Sequence, residues 1–210
     1  MRTSAFAILL GLSLGGICFA QGDGGPSAEL SIVSWAAGAD QSATLLVLPD
    51  GTGPALSAAR AFDGQLVDAT VALALRDYQG LPIANFPAED LWIESSDGGL
   101  VFCAGGQIAD RSTDLQGKTV WALPLRAGGH SGGPCHVIVN AQRVTGGVDP
   151  ALCFNSPDVN GDLHVNLVDA SAFAGMYFGP YSLGGDLQFD GSVDLSDVAA
   201  LARAMGVSCQ

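Results

Sequence analysis

The 210-residue chain carries 21 acidic against 8 basic residues, for a formal net charge of −13. A surface this acidic repels phosphate backbones and anionic headgroups, which argues against nucleic acid and anionic membranes as partners. It suits a chain that offsets part of its charge by holding cations.

Residues 1–20 read as a secretory signal peptide. Arg2 supplies the positive start, residues 5–14 an apolar stretch too short to span a bilayer, and Cys18-Phe-Ala20 a small-x-small cleavage site. The protein is therefore expected to be secreted, released or held at the cell surface, without membrane insertion. Four of the five cysteines, Cys103, Cys135, Cys153 and Cys209, follow the cleavage site. An even number in an exported chain reads as two disulfides with three possible connectivities. The expected pairing is Cys103 with Cys135 and Cys153 with Cys209, each pair on one side of a linker.

Residues 21–27 form a polar, glycine-rich leader, expected to be mobile. From 28 to 143 the pattern is short β-type runs at 28–35, 43–48, 66–75, 90–95, 100–103, 118–125 and 135–140. Turn pairs such as Asp50-Gly51, Asp63-Gly64 and Gln116-Gly117 punctuate them. Val71, Leu73 and Leu75 alternate with Thr70, Ala72 and Ala74, the period of a half-buried strand. Asp97-Gly98 between two apolar runs signals a hairpin. Residues 55–61 are ambiguous, with room for one helical turn. Seven strands without helical period predict a β-sandwich over 28–143. Gly146, Gly147 and Pro150 mark a linker at 144–152, and a small α-helical domain follows over 153–210.

The segment Asp68-Ala-Thr-Val-Ala-Leu-Ala-Leu-Arg-Asp77-Tyr-Gln-Gly80-Leu-Pro82-Ile-Ala-Asn85 resembles the strand-and-turn of bacterial Ig-like domains of the invasin/intimin type. Thr113-Asp-Leu-Gln-Gly117 resembles a later strand start of the same domains. The resemblance implies a spacer or adhesion module with no active site of its own.

The last fifty residues repeat one acidic pattern at a spacing of 28. Loop one runs Asp158, Asn160, Asp162, His164, Asn166, Asp169, and loop two Asp186, Gln188, Asp190, Ser192, Asp194, Asp197. In both, oxygen-bearing side chains fall at positions 1, 3, 5, 9 and 12, the ligand spacing of an EF-hand-type loop. Ca2+ wants six to eight oxygens, and short carboxylates at alternating positions of one loop converge on a single point. His164 and Ser192, at position 7, would offer only their carbonyls. Loop two has the extra carboxylate and Gly191 at position 6, where loop one has Leu163. A left-handed backbone there costs a non-glycine residue about 1–2 kcal/mol, so loop two is expected to bind more tightly.

Each loop precedes an apolar helical stretch. Leu195, Val198, Ala202 and Met205 are expected to form the buried stripe of the second, and Leu167, Ala170, Phe173, Ala174 and Tyr177 that of the first. The duplicated loop-helix unit resembles the dockerin module of bacterial cellulosomes and related assemblies. That resemblance implies attachment to a cohesin-like or other extracellular, cell-surface protein through positions 10 and 11 of each loop. Those positions are Leu167-Val168 and Leu195-Ser196 rather than a polar pair, and the two leucines are expected to serve the core.

Gly128-Gly-His130-Ser131-Gly-Gly-Pro134 looks like the nucleophile loop of trypsin-like proteases. No histidine precedes His130 to act as base, so a turn is expected there and no enzyme. The alternative function is an accessory carbohydrate-binding protein of a polysaccharide-degrading system, with Trp35, Trp92, Trp121 and Tyr78 as its platform.

Overall fold

The computed structural model describes residues 24–38 and 41–210, so the signal peptide and the start of the leader lie outside the described residues. The chain is mainly β, with two short helices at its end. In order come β1 (Ile32–Trp35), β2 (Ala43–Leu46), β3 (Ala59–Arg60), β4 (Leu66–Val67), β5 (Val71–Ala74), β6 (Leu91–Ser95) and β7 (Leu100–Phe102). There follow β8 (Lys118–Trp121), β9 (Ala127–Gly129), β10 (Cys135–Val139), β11 (Gln142–Arg143), β12 (Gly146–Gly147), β13 (Leu152–Asn155), α1 (Leu167–Tyr177) and α2 (Leu195–Ala204).

Among the described residues there are four sheets, ordered β12-β1-β5-β8, β13-β2-β3-β4, β11-β10-β6 and β7-β9. Every run expected as a strand contributes one, and a single 3-10 turn, Leu56–Ala58, occupies the ambiguous stretch. Along β5 the expected alternation holds, with Val71 and Leu73 buried and, just beyond, Leu75 as well. These side chains join Trp121, Leu45, Leu91, Ile93 and Phe154 in one apolar core.

Asp97-Gly98 makes its turn, Gly98 at φ 69°, but not a hairpin. β6 pairs with β10 while β7 pairs with β9, so the turn passes the chain from one sheet to another. The leader is not free over its described part: Ser27 is buried and its N–H donates to the Arg76 carbonyl at 2.8 Å.

The stretch read as a linker carries strands of its own. β12 lies parallel to β1, and β13, which runs past the end of that stretch, lies parallel to β2. Gly146 and Gly147 are there because the backbones touch: a Cβ on them would stand 2.1 Å from the Ser31 carbonyl and 2.0 Å from that of Val33. Beyond β13 a second apolar cluster gathers Val159, Val165, Phe173, Leu187, Leu201 and Ala204, and Leu46 and Leu48 of the β-rich part complete it.

The cysteines join differently from the expectation. Cys103 pairs with Cys209, and Cys135 and Cys153 stay free. Ser131 lies opposite Phe154 and the Cys135 N–H donates to Pro150, a register that sets Cys153 opposite Gly132, three positions from Cys135. Cys135 is buried in the core, while the Cys153 thiol, half-buried, meets the Gly132 carbonyl at 3.4 Å. Cys103 follows β7, whose partner β9 supports loop one, and the C-terminal tail runs along that loop. The Cys209 N–H donates to Leu163, and the Val165 N–H to Val207 at 2.8 Å. The disulfide therefore clasps the helical end onto the β-rich part rather than onto itself.

Candidate metal centres

Both acidic loops fold by one scheme, set by their first and last aspartates. Asp158 Oδ1 accepts from the N–H groups of Gly161 and Asp162, and Oδ2 from Leu163 at 2.7 Å. Asp186 repeats this with Asp190 and Gly191 at 3.1 and 2.9 Å. At position 12, Asp169 and Asp197 are the third helical residues of α1 and α2, and each accepts the N–H of its helix cap, Asn166 or Asp194, at 2.8 and 2.9 Å. These are capping boxes, and the second oxygen of each carboxylate reaches across to the opposite arm of its loop.

The inward aspartate fixes the phase of each helix and so corrects the expected stripes. With Asp197 inside, Leu201 and Ala204 fall about 40° and 20° from it at 100° per residue, whereas Leu195 falls about 160° away. Leu201 and Ala204 are buried, while Leu195 is 73% and Met205 40% exposed. In α1, Phe173 is buried and Leu167, expected as core, is 77% exposed.

All four of these aspartates, Asp158, Asp169, Asp186 and Asp197, are fully buried. In loop one an oxygen of each of Asp158, Asp162 and Asp169 lies within 4.8 Å of the others, the one such trio of acidic, histidine or cysteine side chains among the described residues. Asn160 donates to Asp162 at 3.0 Å, and Asn166 to the carbonyl of exposed His164 at the same distance. Burial, with Asp169 and Asp162 beside it, pushes the Asp158 carboxyl above the ordinary range. A compact group of oxygens that resists carrying its own charge is one that a hard cation stabilises.

In loop two, hydroxyls hydrogen-bond to the carboxylates. Tyr181 donates to Asp186 at 3.0 Å, Ser192 to Asp190 at 2.7 Å and Ser196 to Asp194 at 2.6 Å. Burial and the Asp186 carboxylate push the Tyr181 hydroxyl up to about 12. Burial also raises Asp197, against the backbone N–H groups it accepts. Gln188 lines a cavity between this loop and the β-rich part.

The strain argument for loop two does not survive the backbone angles. Position 6 is left-handed in both loops, Leu163 at φ 67° and Gly191 at φ 87°, but position 4 is left-handed too. There loop one has Gly161 at φ 72° and loop two has Phe189 at φ 53°. Each loop thus strains one non-glycine residue, and the difference cancels.

Sequence reasoning missed the residues that seat the loops. The Gly129 N–H donates to the Asp158 carbonyl at 2.7 Å, and a Cβ on Gly128 would stand 1.7 Å from Asp158 Oδ2. The glycine pair that mimics a protease loop is therefore β9, the floor of loop one. Asn155, at the end of β13, donates its amide to the Asp186 carbonyl and seats loop two in the same manner. No family model, no curated protein and no solved structure matches the chain.

Proposed function

We propose that this is a secreted, non-catalytic, calcium-binding protein whose helical end is a dockerin-like attachment module and whose β-rich part is an Ig-like spacer. The observation that carries the reading is the convergence of Asp158, Asp162 and Asp169 in a loop of EF-hand spacing. Loop one is the better formed site, and loop two, its carboxylates engaged by Tyr181, Ser192 and Ser196, binds more weakly.

Attachment is supported by the exposed apolar side chains at the starts of α1 and α2. Leu167, Val168 and Leu195 hold 57–77% of their surfaces open to solvent. Calcium fixes the loops, the loops fix where the helices begin, and the helices present these three apolar side chains to a cohesin-like or other extracellular protein. Calcium-dependent capture of a cell-envelope protein, lost in Leu167→Asp/Leu195→Asp but not in Leu115→Asp, tests the attachment. Leu115 is a control in the β-rich part with 75% of its surface exposed. Capture that ignores chelator, or survives the double substitution, contradicts it.

A further inference from the structure

A cavity of about 320 Å3 opens between loop two with α2 on one side and the β13-β2-β3-β4 sheet on the other. That volume is at the small end of ligand sites. Arg60, at the end of β3, and Arg203, in the last turn of α2, reach it from its two walls. No carboxylate lies within 4.0 Å of either guanidinium among the described residues, although the chain has 21 acidic residues. Arg60 gives one N–H to the Gly64 carbonyl, which leaves most of its donors unused. In so acidic a protein, two arginines lining one cavity without an acid partner favour an anionic ligand.

The rest of the lining narrows the ligand further. Thr44 and Asn155 line the cavity, and Thr44 Oγ1 and Asn155 Oδ1 are buried with no hydrogen-bond partner. An amide oxygen accepts only, so a ligand that satisfies it brings a hydroxyl or N–H donor. Leu46, Leu66 and Phe189 also line the cavity, and they call for C–H surface against them rather than a bare inorganic anion. We infer that this cavity is a binding site for a small hydroxylated carboxylate of the size of one sugar acid. Its carboxylate pairs with Arg60 and Arg203, its hydroxyls face Thr44 and Asn155, and its C–H face lies on Leu66 and Phe189. The site borders loop two, sharing Gln188 with the second candidate metal centre, but the inference does not rest on calcium.

Calorimetric titration of the full chain with sodium D-glucuronate tests it, with D-glucose and inorganic phosphate as comparison ligands. One saturable site is expected, with affinity at least tenfold above that for either comparison ligand. Arg60→Gln and Arg203→Gln should each lower glucuronate affinity at least tenfold. Both side chains are exposed, so the thermal unfolding midpoints should stay close to that of the parent. Absence of glucuronate binding overturns the site, and so does binding unchanged in Arg203→Gln. Glucose binding as tightly would show that charge is not read, and phosphate binding as tightly that the ring is not read. Either result overturns the assignment.

Discussion

Loop one and loop two share a spacing and a hydrogen-bond scheme, yet they arrive at different sites. Loop one rests on glycine backbone, with Gly128 and Gly129 beneath Asp158; among the described residues no hydroxyl donates to its three clustered carboxylates, which turn toward one another. Loop two rests beside Tyr181, Ser192 and Ser196, whose hydroxyls draw Asp186, Asp190 and Asp194 into separate bonds. Ligand spacing alone does not make a metal site. What the neighbouring chain offers the carboxylates in the absence of metal decides how ready the site is.

That contrast can be broken at its supports. Removing the clasp with Cys103→Ser should cost most, about 2–5 kcal/mol of stability, since the bond closes a loop of 106 residues. Because the tail carrying Cys209 lies along Leu163, loop one should lose more calcium affinity than loop two. Equal losses in calorimetric titration would show that the clasp does not single out loop one. Gly128→Ala comes next, at about 1–3 kcal/mol for overpacking a buried contact. It should remove the tighter calcium site and spare the weaker, and retention of two sites would contradict the role given to β9.

A smaller effect tests the balance of strain. Gly161→Ala and Gly191→Ala place a Cβ at left-handed positions with similar room, 3.3 Å from Val101 and 3.4 Å from Phe62. Each should weaken its own loop by about tenfold, the equivalent of ~1.4 kcal/mol. A cost confined to Gly191→Ala would restore the case for loop two.

The smallest effect is a matter of pH. Asp158 is raised in the folded chain, so its contribution to stability is present below the ordinary carboxylate range near ~3.9 and is lost as pH rises through the raised value. Ionisation of Asp158 therefore destabilises the fold locally, and a cation bound beside it would offset that cost. Carboxyl-carbon NMR titration in chelator should place Asp158 above Asp114, which the Lys118 N–H holds low. Calcium should bring Asp158 down at lower concentration than it brings down Asp197. If Asp158 titrates with the exposed aspartates, the buried cluster is not as described.

Much of the architecture was legible because it is local. The alternation of Val71, Leu73 and Leu75 and the Asp-Gly turns marked strands, and the repeated aspartates marked the loops. What was hidden depends on contacts across the chain. β9 and β12 are made largely of glycine, chosen for close backbone approach, and carry no apolar period to read. The helix phase was misread because Leu195, Val198 and Met205 have the composition of a core stripe, while the residue that sets the phase, Asp197, is polar. The disulfide followed from loop one docking on β9, which no spacing between cysteines records. Position 4 of the loops escaped notice because the strain at Phe189 shows only in its backbone angle.

Asp158 is proposed to anchor the tighter of two calcium sites. Calorimetric calcium titration of the parent, Asp158→Ala and Asp186→Ala tests it most directly. Two sites are expected in the parent, with loss of the tighter one in Asp158→Ala and of the weaker one in Asp186→Ala. Loss of the tighter site in Asp186→Ala instead, or a parent that takes up no calcium, would contradict it.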